Sequence, residues 1–305
     1  MCGILFITKG GAGMERTELE RDGFLGCFFS GTRRPDMAVI RAGDLNESME
    51  QALESSQFLI DAGFTVLVLC LCPEGRRSAV PAEYAEHAVK WLRERLGENI
   101  RTAMTGTSGG ALYTLTCACF IPEIVCAAVC SPFDHMMEGT AGRRPAGSSV
   151  ISRGGGDMPF TPWDVLRKGS AGAFVKGLFS KGYGPHRMPR YIFDINGTVP
   201  ESALPLEKMN CDILILASEN DDVLPAEEAA RRIEEAIRTP DYPHLVVTRI
   251  YEHGSHILGC TISEKRMNKV SRSLKAWRLR SKECAEALAD SQRLIIEFFD
   301  RASMI

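Results

Sequence analysis

The sequence predicts an α/β fold with a mostly parallel central sheet, helices on both of its faces, an N-terminal antiparallel hairpin and an inserted cap. Strand-like and helix-like segments alternate along most of the chain, which is typical of a parallel sheet with crossover helices. The stretch FTVLVLCLC at 64–72 is apolar at all but one position, as expected for a strand buried on both faces. Asp22-Gly23 separates two strand-like stretches, 14–20 and 24–30, and is a strong hairpin signal.

The other elements follow from their local patterns. We expect strands at 37–42, 64–72, 101–105, 125–130, 212–217 and 244–251. We expect helices at 47–61, 82–96, 109–120, 225–238 and 284–301. The first of these helices begins with a Ser48–Gln51 capping box, and Gly63 follows its end. Pro225 suits the first position of the fourth helix.

Residues 133–205 interrupt this regular alternation. They carry glycine-rich and proline-rich stretches such as GTAGRRPAG and RGGGD, together with scattered aromatic residues. Such a composition is typical of an insertion over the sheet and not of a further strand and helix. We therefore expect a single domain over 1–305 with a cap-like insertion at 133–205.

Composition and charge exclude several classes of function. The net charge is −3 over 305 residues, whereas a nucleic-acid-binding domain usually has a strong basic excess. No apolar run reaches the roughly 18 residues of a membrane span. The start MCGILFITKGG lacks the basic region that precedes the apolar part of a signal peptide. The eleven cysteines lie largely in apolar runs without a C-x-x-C motif, so we expect reduced thiols and a cytoplasmic protein.

One short motif carries the chemistry. Gly106-Thr107-Ser108-Gly109-Gly110 matches G-x-S-x-G and stands between a predicted strand and a predicted helix. This context is the one in which a nucleophile elbow forms in the α/β-hydrolase fold. The glycines permit a tight, strained turn that projects the serine hydroxyl from the edge of the sheet. We therefore predict Ser108 as a nucleophile, the alternative being a turn that only joins strand to helix.

A serine nucleophile needs a base, and the base needs an orienting acid. In α/β hydrolases the chain order is serine, acid, histidine, and this sequence offers that order. Asp221 follows a predicted strand and stands four residues before a proline, so it is the candidate acid, with Asp222 as the runner-up. His256 follows two small residues and is the candidate base, with His253 as the runner-up. The alternative for each histidine is a hydrogen-bonded loop residue.

The oxyanion of a tetrahedral intermediate is held by two backbone amides. The first should be the amide of Gly109. The second should come from the loop after the strand at 37–42. Because this loop has no HGGG stretch to define the position, Asp44 and Leu45 are both candidates. This chemistry requires no metal and no cofactor.

These residues carry a resemblance to a known family. The sequence is similar to the C-terminal catalytic domain shared by acyl-CoA thioesterases and bile acid-CoA:amino acid N-acyltransferase, within the dienelactone-hydrolase-like branch of α/β hydrolases. The matching stretches are VPAEYAEHAVKWLRER, TGTSGGA, SALPLEKMNCDILILASENDD and YEHGSHIL. The resemblance extends from about residue 15 to the C-terminus.

The resemblance implies an α/β-hydrolase fold with Ser108 as nucleophile, Asp221 as acid and His256 as base. The conjugating acyltransferases of the family carry cysteine at the nucleophile position, whereas the serine of this chain resembles the hydrolysing members. The implied activity is hydrolysis of an acyl-CoA thioester or a related ester through an acyl-enzyme. The implied partner is therefore a small-molecule acyl thioester or ester.

Other functions are compatible with the same residues. A carboxylesterase, a dienelactone-hydrolase-like enzyme, a lactonase or a peptidase could use the same triad, and an amine could replace water as the acyl acceptor. A non-catalytic binding protein on this scaffold would usually lose a member of the triad. The start Met1-Cys2-Gly3-Ile4 is that of N-terminal-nucleophile glutamine amidotransferases, but the later substrate motifs of that class are missing.

Residues 264–282 are strongly basic. The simplest interpretation is a solvated amphipathic helix with Val270, Leu274 and Trp277 on its buried face. The alternative is that some of the cations bind the phosphates of coenzyme A. The cations are Lys265, Arg266, Lys269, Arg272, Lys275, Arg278, Arg280 and Lys282.

Overall fold

An eight-stranded sheet forms the centre of the computed structural model, which describes residues 14–72, 77–142, 144–169, 172, 175 and 188–302. In spatial order, with strands numbered along the chain, it contains β1 (Glu15–Arg16), β2 (Gly26–Phe29), β4 (Phe64–Leu69), β3 (Arg33–Ala42), β6 (Arg101–Thr107), β7 (Ile124–Cys130), β12 (Asp212–Ser218) and β13 (Val246–Tyr251). All neighbours from β4 to β13 are parallel, and β2 pairs antiparallel with β1 and β4.

Helices cover both faces of this sheet. The described helices are α1 (Leu19–Asp22), α2 (Met49–Asp61), α3 (Glu83–Leu96), α4 (Gly109–Phe120), α5 (Trp163–Arg167), α6 (Met188–Asn196), α7 (Ala226–Ile237), α8 (Glu264–Ser273), α9 (Lys275–Leu279) and α10 (Ser281–Arg301). The predicted capping box between Ser48 and Gln51 is present at the start of α2. Pro225 lies one position earlier than predicted, at the N-cap of α7. Among the described residues, no helix combines the length and the apolar character that crossing a bilayer requires.

Apolar side chains bury both faces of the sheet. Along β3, Ala38 and Ile40 belong to the apolar cluster of one face, and Met37 and Val39 belong to that of the other. All four are fully buried. Helices α3, α4 and α7 pack on the first face, and α2 and α10 pack on the second. The strands are apolar at successive positions because neither face meets water. The ten cysteines of the described residues are all free thiols.

The N-terminal hairpin is confirmed as an antiparallel pair, but the predicted two-residue turn is wrong. Residues of β1 face residues of β2, with Glu15 opposite Phe28. The connection contains the one-turn helix α1, and Gly23 caps it with a left-handed φ of 77°. The carboxylate of Asp22 accepts the N–H of Glu18 at 2.7 Å, which satisfies an amide ahead of this helix and favours helix over a tight turn.

The described residues within 133–205 build small sheets outside the central one. Their description as a cap stays a prediction. One sheet pairs two strands of this segment, and a second sheet pairs two more with β5, which lies before α3. The strands concerned are β5 (Val80–Pro81), β8 (Glu138–Ala141), β9 (Arg144–Ser149), β10 (Ile151–Arg153) and β11 (Gly156–Asp157).

The basic segment is not one helix, as predicted, but two. It divides at Leu274 into α8 and α9, and α10 then begins at Ser281. Leu274 and Trp277 are buried, as the sequence predicts, and they pack with Ile257 in a small separate cluster. Trp277 also donates its indole N–H to Ser255 Oγ at 2.7 Å. The break therefore lets the segment dock on the loop that follows β13.

Candidate active site

Ser108 stands on a sharp turn between β6 and α4. Its backbone has φ 57° and ψ −120°, a conformation that residues with a Cβ rarely adopt. The N–H of Ser108 donates to the carbonyl of Cys130 at 2.9 Å and so ties the turn to β7. The neighbouring strand therefore holds the strained residue at the carboxyl edge of the sheet.

Two glycines of the motif are required by close packing. A Cβ on Gly106 would lie 2.1 Å from the carbonyl oxygen of Gly110. A Cβ on Gly110 would lie 2.7 Å from the carbonyl oxygen of Ala42. Both contacts are with backbone, which cannot move aside as a flexible side chain can. The glycines thus let α4 begin directly against the ends of β6 and β3.

Asp221 and His256 meet in the loops that follow β12 and β13. His256 Nδ1 lies 2.8 Å from Asp221 Oδ2 and 3.0 Å from Oδ1. Asp221 is fully buried, and its Oδ1 also accepts the N–H groups of Val223 and Leu224 at 2.8 and 2.9 Å. These donors hold the carboxylate in position, so it can orient the imidazole ring through Nδ1 and leave Nε2 for other chemistry.

The runner-up residues lie elsewhere. Asp222 Oδ2 accepts the N–H of Ala276 at 3.1 Å and thus faces the start of α9. His253 Nε2 lies 3.4 Å from a carboxylate oxygen of Glu252. The structure therefore brings Asp221, and not Asp222, to the ring of His256. Neither runner-up lines the cleft that contains Ser108.

Ser108 and His256 line the same cleft, which has a volume of about 360 Å³. Its walls come from the end of β3, the start of α2, the loop after β13, and α8. None of the residues described within 133–205 lines it, and α8 contributes one of its walls. Within the described chain no hydrogen bond joins Ser108 Oγ to His256. Such contacts are often loose without substrate and tighten in the substrate complex.

Three carboxylates act on His256. Burial alone would lower the pKa of its imidazole, but the charge and hydrogen bond of Asp221 raise it. The charges of Asp44 and Asp222 act in the same direction, and the net result is a raised pKa. The neutral form that a general base requires is therefore reached at higher pH than for an ordinary histidine.

The predicted oxyanion loop lies against the elbow, but two of the three candidate amides, that of Gly109 in the elbow and that of Asp44 in the loop, are engaged. The N–H of Gly109 donates to Asp44 Oδ2 at 2.9 Å, and the N–H of Asp44 donates to Glu47 Oε2 at 3.0 Å. The N–H of Leu45 has no hydrogen-bond partner among the described residues. The side chain of Leu45 packs on Gly109, where a Cβ would lie 2.8 Å from Leu45 Cδ1. A carboxylate thus occupies the amide predicted to hold the oxyanion.

Arg41 is a candidate functional residue that the sequence analysis missed. It lies near the end of β3, is only 1% exposed, and lines the cleft beside Ser108. Its Nη1 donates to the carbonyl of Ala42 at 2.5 Å, and its Nη2 donates to Thr107 Oγ1 at 3.4 Å. The available signal was one arginine inside the otherwise apolar stretch MAVIRA, where a buried strand leaves a charge no route to water.

The second arginine of the cleft, Arg266, is paired. It lies 3.3 Å from Glu47 and 2.8 Å from Glu54. Burial raises the pKa of the Glu47 carboxyl, although Arg41 and Arg266 oppose the shift. The positive charge of Arg266 is thus largely neutralised by Glu47 and Glu54. Arg266 is therefore a poor candidate for binding the phosphates of coenzyme A.

The described residues contain neither a metal-binding cluster nor the cysteine of the amidotransferase alternative. No cluster of histidine, cysteine, aspartate and glutamate there could hold a metal ion. Cys2, on which the amidotransferase alternative depends, lies outside the described residues.

The fold is that of α/β hydrolases. No protein-family model matches the chain, and no curated protein sequence matches it. The structure is similar to a lipase in an open form, with a TM-score of 0.52, 16% identity, and coverage of 95% of this chain and 99% of that chain. It is also similar to the esterase domain of a Rhodothermus marinus protein, with a TM-score of 0.50, 15% identity, and coverage of 96% and 99%. These similarities establish the fold, but they do not show whether the chain is closer to thioesterases or to esterases.

The elbow glycines lead to a stability prediction. We expect Gly106→Ala to lower the free energy of unfolding by about 3 kcal/mol or more, because its Cβ would overlap a backbone carbonyl. Gly156→Ala is the control, since the nearest atom to its Cβ is 4.0 Å away. We expect its effect to be within about 0.5 kcal/mol. Urea unfolding measures both values, and equal stability of the two variants would contradict the packing argument.

Asp44 leads to a prediction on pH dependence. Its charge helps to raise the pKa of His256, so removing that charge in Asp44→Asn should lower this pKa. The acidic limb of kcat/KM for p-nitrophenyl acetate should therefore move to lower pH. Asp61→Asn makes the same chemical change at the exposed end of α2 and should leave the limb in place. A limb that stays fixed or moves to higher pH in Asp44→Asn would show that Asp44 does not act on His256.

Proposed function

We propose that this chain is a serine hydrolase that cleaves a thioester or an ester through an acyl-enzyme. One observation carries the proposal: His256, which is hydrogen-bonded to Asp221, shares a cleft with a serine on a strained strand-to-helix turn. This is the arrangement in which a serine hydroxyl becomes a nucleophile at neutral pH. The α/β-hydrolase fold supports the same chemistry but does not by itself imply it.

In the proposed reaction, His256 transfers the proton in each step. His256 Nε2 accepts the proton of Ser108 Oγ as Oγ bonds to the carbonyl carbon of the substrate. Asp221 keeps the ring oriented through Nδ1 and stabilises the imidazolium. His256 then protonates the departing oxygen or sulfur, and the acyl group stays on Ser108. Water gives a proton to His256 Nε2 as it attacks the acyl-enzyme. His256 returns this proton to Ser108 Oγ as the bond between Oγ and the acyl carbon breaks and the acid leaves.

The oxyanion requires a local rearrangement. We assign its stabilisation to the N–H groups of Gly109 and Leu45, each worth about 3 kcal/mol by analogy with measured oxyanion donors. The Gly109 amide becomes available when the Asp44 side chain rotates away from it. Asp44 is half-buried at the cleft, so substrate binding can drive this rotation by displacing its carboxylate.

A thioester leaving group is the first choice within this proposal. The outer face of α8 carries the exposed cations Lys265, Lys269 and Arg272, while its inner face lines the cleft. A leaving group that extends from the cleft past this helix would meet these cations, which suits the phosphates of coenzyme A. A simple ester needs no such surface.

The test compares leaving groups on one enzyme. We expect a panel of acyl-CoA thioesters of increasing chain length to release free thiol, and p-nitrophenyl esters of matching chain length to react with lower kcat/KM. Ser108→Ala should lower kcat at least about 1,000-fold for both series, since the nucleophile is lost. Ser30→Ala, at an exposed serine between β2 and β3, is the matched control and should retain full activity.

Each result has a separate meaning for the proposal. Activity that survives in Ser108→Ala would refute the serine mechanism. Turnover of esters alone, lost in Ser108→Ala, would retain the serine hydrolase and remove the thioester preference. Loss of charge in Arg272→Ala should raise KM for acyl-CoA but leave KM for the uncharged ester unchanged.

A further inference from the structure

We propose that Arg41 binds a carboxylate of the substrate, so that the preferred substrates are half-esters or half-thioesters of dicarboxylic acids. This inference rests on the proposed function, because it concerns the cleft that contains Ser108. It adds a substrate class that neither the triad nor the fold specifies.

The burial of Arg41 is the first observation. The residue is 1% exposed and is the largest of the fully buried side chains. A guanidinium group keeps its charge at every pH that the protein experiences. A buried charge is costly unless it is paired and hydrogen-bonded, and removing it from water is repaid only by a well-placed counter-charge.

The partners of Arg41 do not supply that counter-charge. The two hydrogen bonds of its terminal nitrogens go to neutral oxygens, those of Ala42 and Thr107. Its Nε is buried and has no partner among the described residues. No ion pair joins the group to any carboxylate of the described chain. Three of the five N–H groups of the guanidinium thus have no partner in the described residues, and Glu47 acts on its charge without forming an ion pair with it.

The nearby carboxylates of the cleft are already engaged. Glu47 accepts the N–H of Asp44 and pairs with Arg266. Asp44 accepts the N–H groups of Gly109 and Asn46. Both therefore have other donors, and Arg266 is in turn neutralised by Glu47 and Glu54. Of the two arginines that line the cleft, Arg41 is the one without an acidic partner in the described residues.

The position of Arg41 defines the kind of substrate. Its Nη2 contacts Thr107, the residue directly before Ser108, and its strand lies beside that of the elbow, with Arg41 opposite Thr105. A second carboxylate only a few bonds from the scissile carbonyl would reach the guanidinium. A planar carboxylate also matches the donor geometry of arginine, whereas a neutral amide of the same shape supplies no charge.

The experiment uses the whole chain and two competitors that differ only in charge. Hydrolysis of p-nitrophenyl acetate is inhibited with monomethyl succinate or with methyl succinamate, in which an amide replaces the carboxylate. We expect monomethyl succinate to halve the rate at a concentration at least tenfold lower than methyl succinamate does. In Arg41→Gln this ratio should fall to near one. Arg301→Gln removes the same charge at the exposed end of α10, outside the residues that line the cleft, and should keep the ratio of the unmodified protein.

Two further measurements keep the inference testable if Arg41→Gln does not fold. The ratio in the unmodified protein is itself decisive, since equal inhibition by the two competitors would overturn the proposal. Arg41→Lys keeps the charge but loses the planar donor pair, and should give an intermediate ratio. If a folded Arg41→Gln variant keeps the ratio of inhibitory concentrations of the unmodified protein, the proposal is also overturned. Arg41 would then be a structural charge that Glu47 balances at a distance.

Failure of the proposed function is recognised separately. If Ser108→Ala hydrolyses p-nitrophenyl acetate as well as the unmodified protein, the serine mechanism is wrong whatever the competitors do. The shift in melting temperature with each competitor then measures binding without turnover. A larger shift with monomethyl succinate, lost in Arg41→Gln, would still support the carboxylate site, and equal shifts would refute it.

Discussion

The close crossing of α4 over the ends of β3 and β6 is the constraint on which the site depends. Gly106 and Gly110 permit it, because a Cβ at either position would overlap a backbone carbonyl oxygen. The crossing forces Ser108 into a strained conformation at the carboxyl edge of the sheet. Since β12 and β13 run parallel to β6, their loops reach the same edge and carry Asp221 and His256 there. One packing requirement thus gathers residues far apart in sequence.

The charges around this edge are arranged in two groups. Asp221, Asp222 and Asp44 raise the pKa of His256 against the effect of burial, so the imidazolium is favoured. Arg41 lies on β3, beside the strand that leads to the elbow, and has only neutral hydrogen-bond partners in the described chain. In the proposed reaction the first group stabilises the positive charge that forms on the ring. Arg41 would bind a negatively charged group of the substrate. The Asp44 carboxylate accepts the N–H of Gly109 and thus occupies the position proposed for the oxyanion.

The sequence predicts the parts of the site that follow from local chain geometry. A serine between glycines, after a strand and before a helix, predicts the elbow at Ser108. A choice between Asp221 and Asp222 could be made only weakly, because it depends on which carboxylate turns toward the ring. The contact of Asp44 with the Gly109 amide and the burial of Arg41 depend on side-chain packing across separate strands, which no local pattern encodes. Asp22-Gly23 was misjudged because the residues before Gly23 form a helical turn that Gly23 caps. The basic segment divides at Leu274, where Leu274 and Trp277 are both buried with Ile257 of the His256 loop.

Labelling of the serine tests the central claim most directly, namely that His256 and Asp221 activate Ser108. The protein is treated with a fluorophosphonate, and peptide mass spectrometry locates the adduct. The account predicts one adduct, on Ser108, and a labelling rate at least about 100-fold lower in His256→Ala, because the general base is lost. An adduct on another residue, no adduct at all, or an unchanged rate in a folded His256→Ala would contradict it.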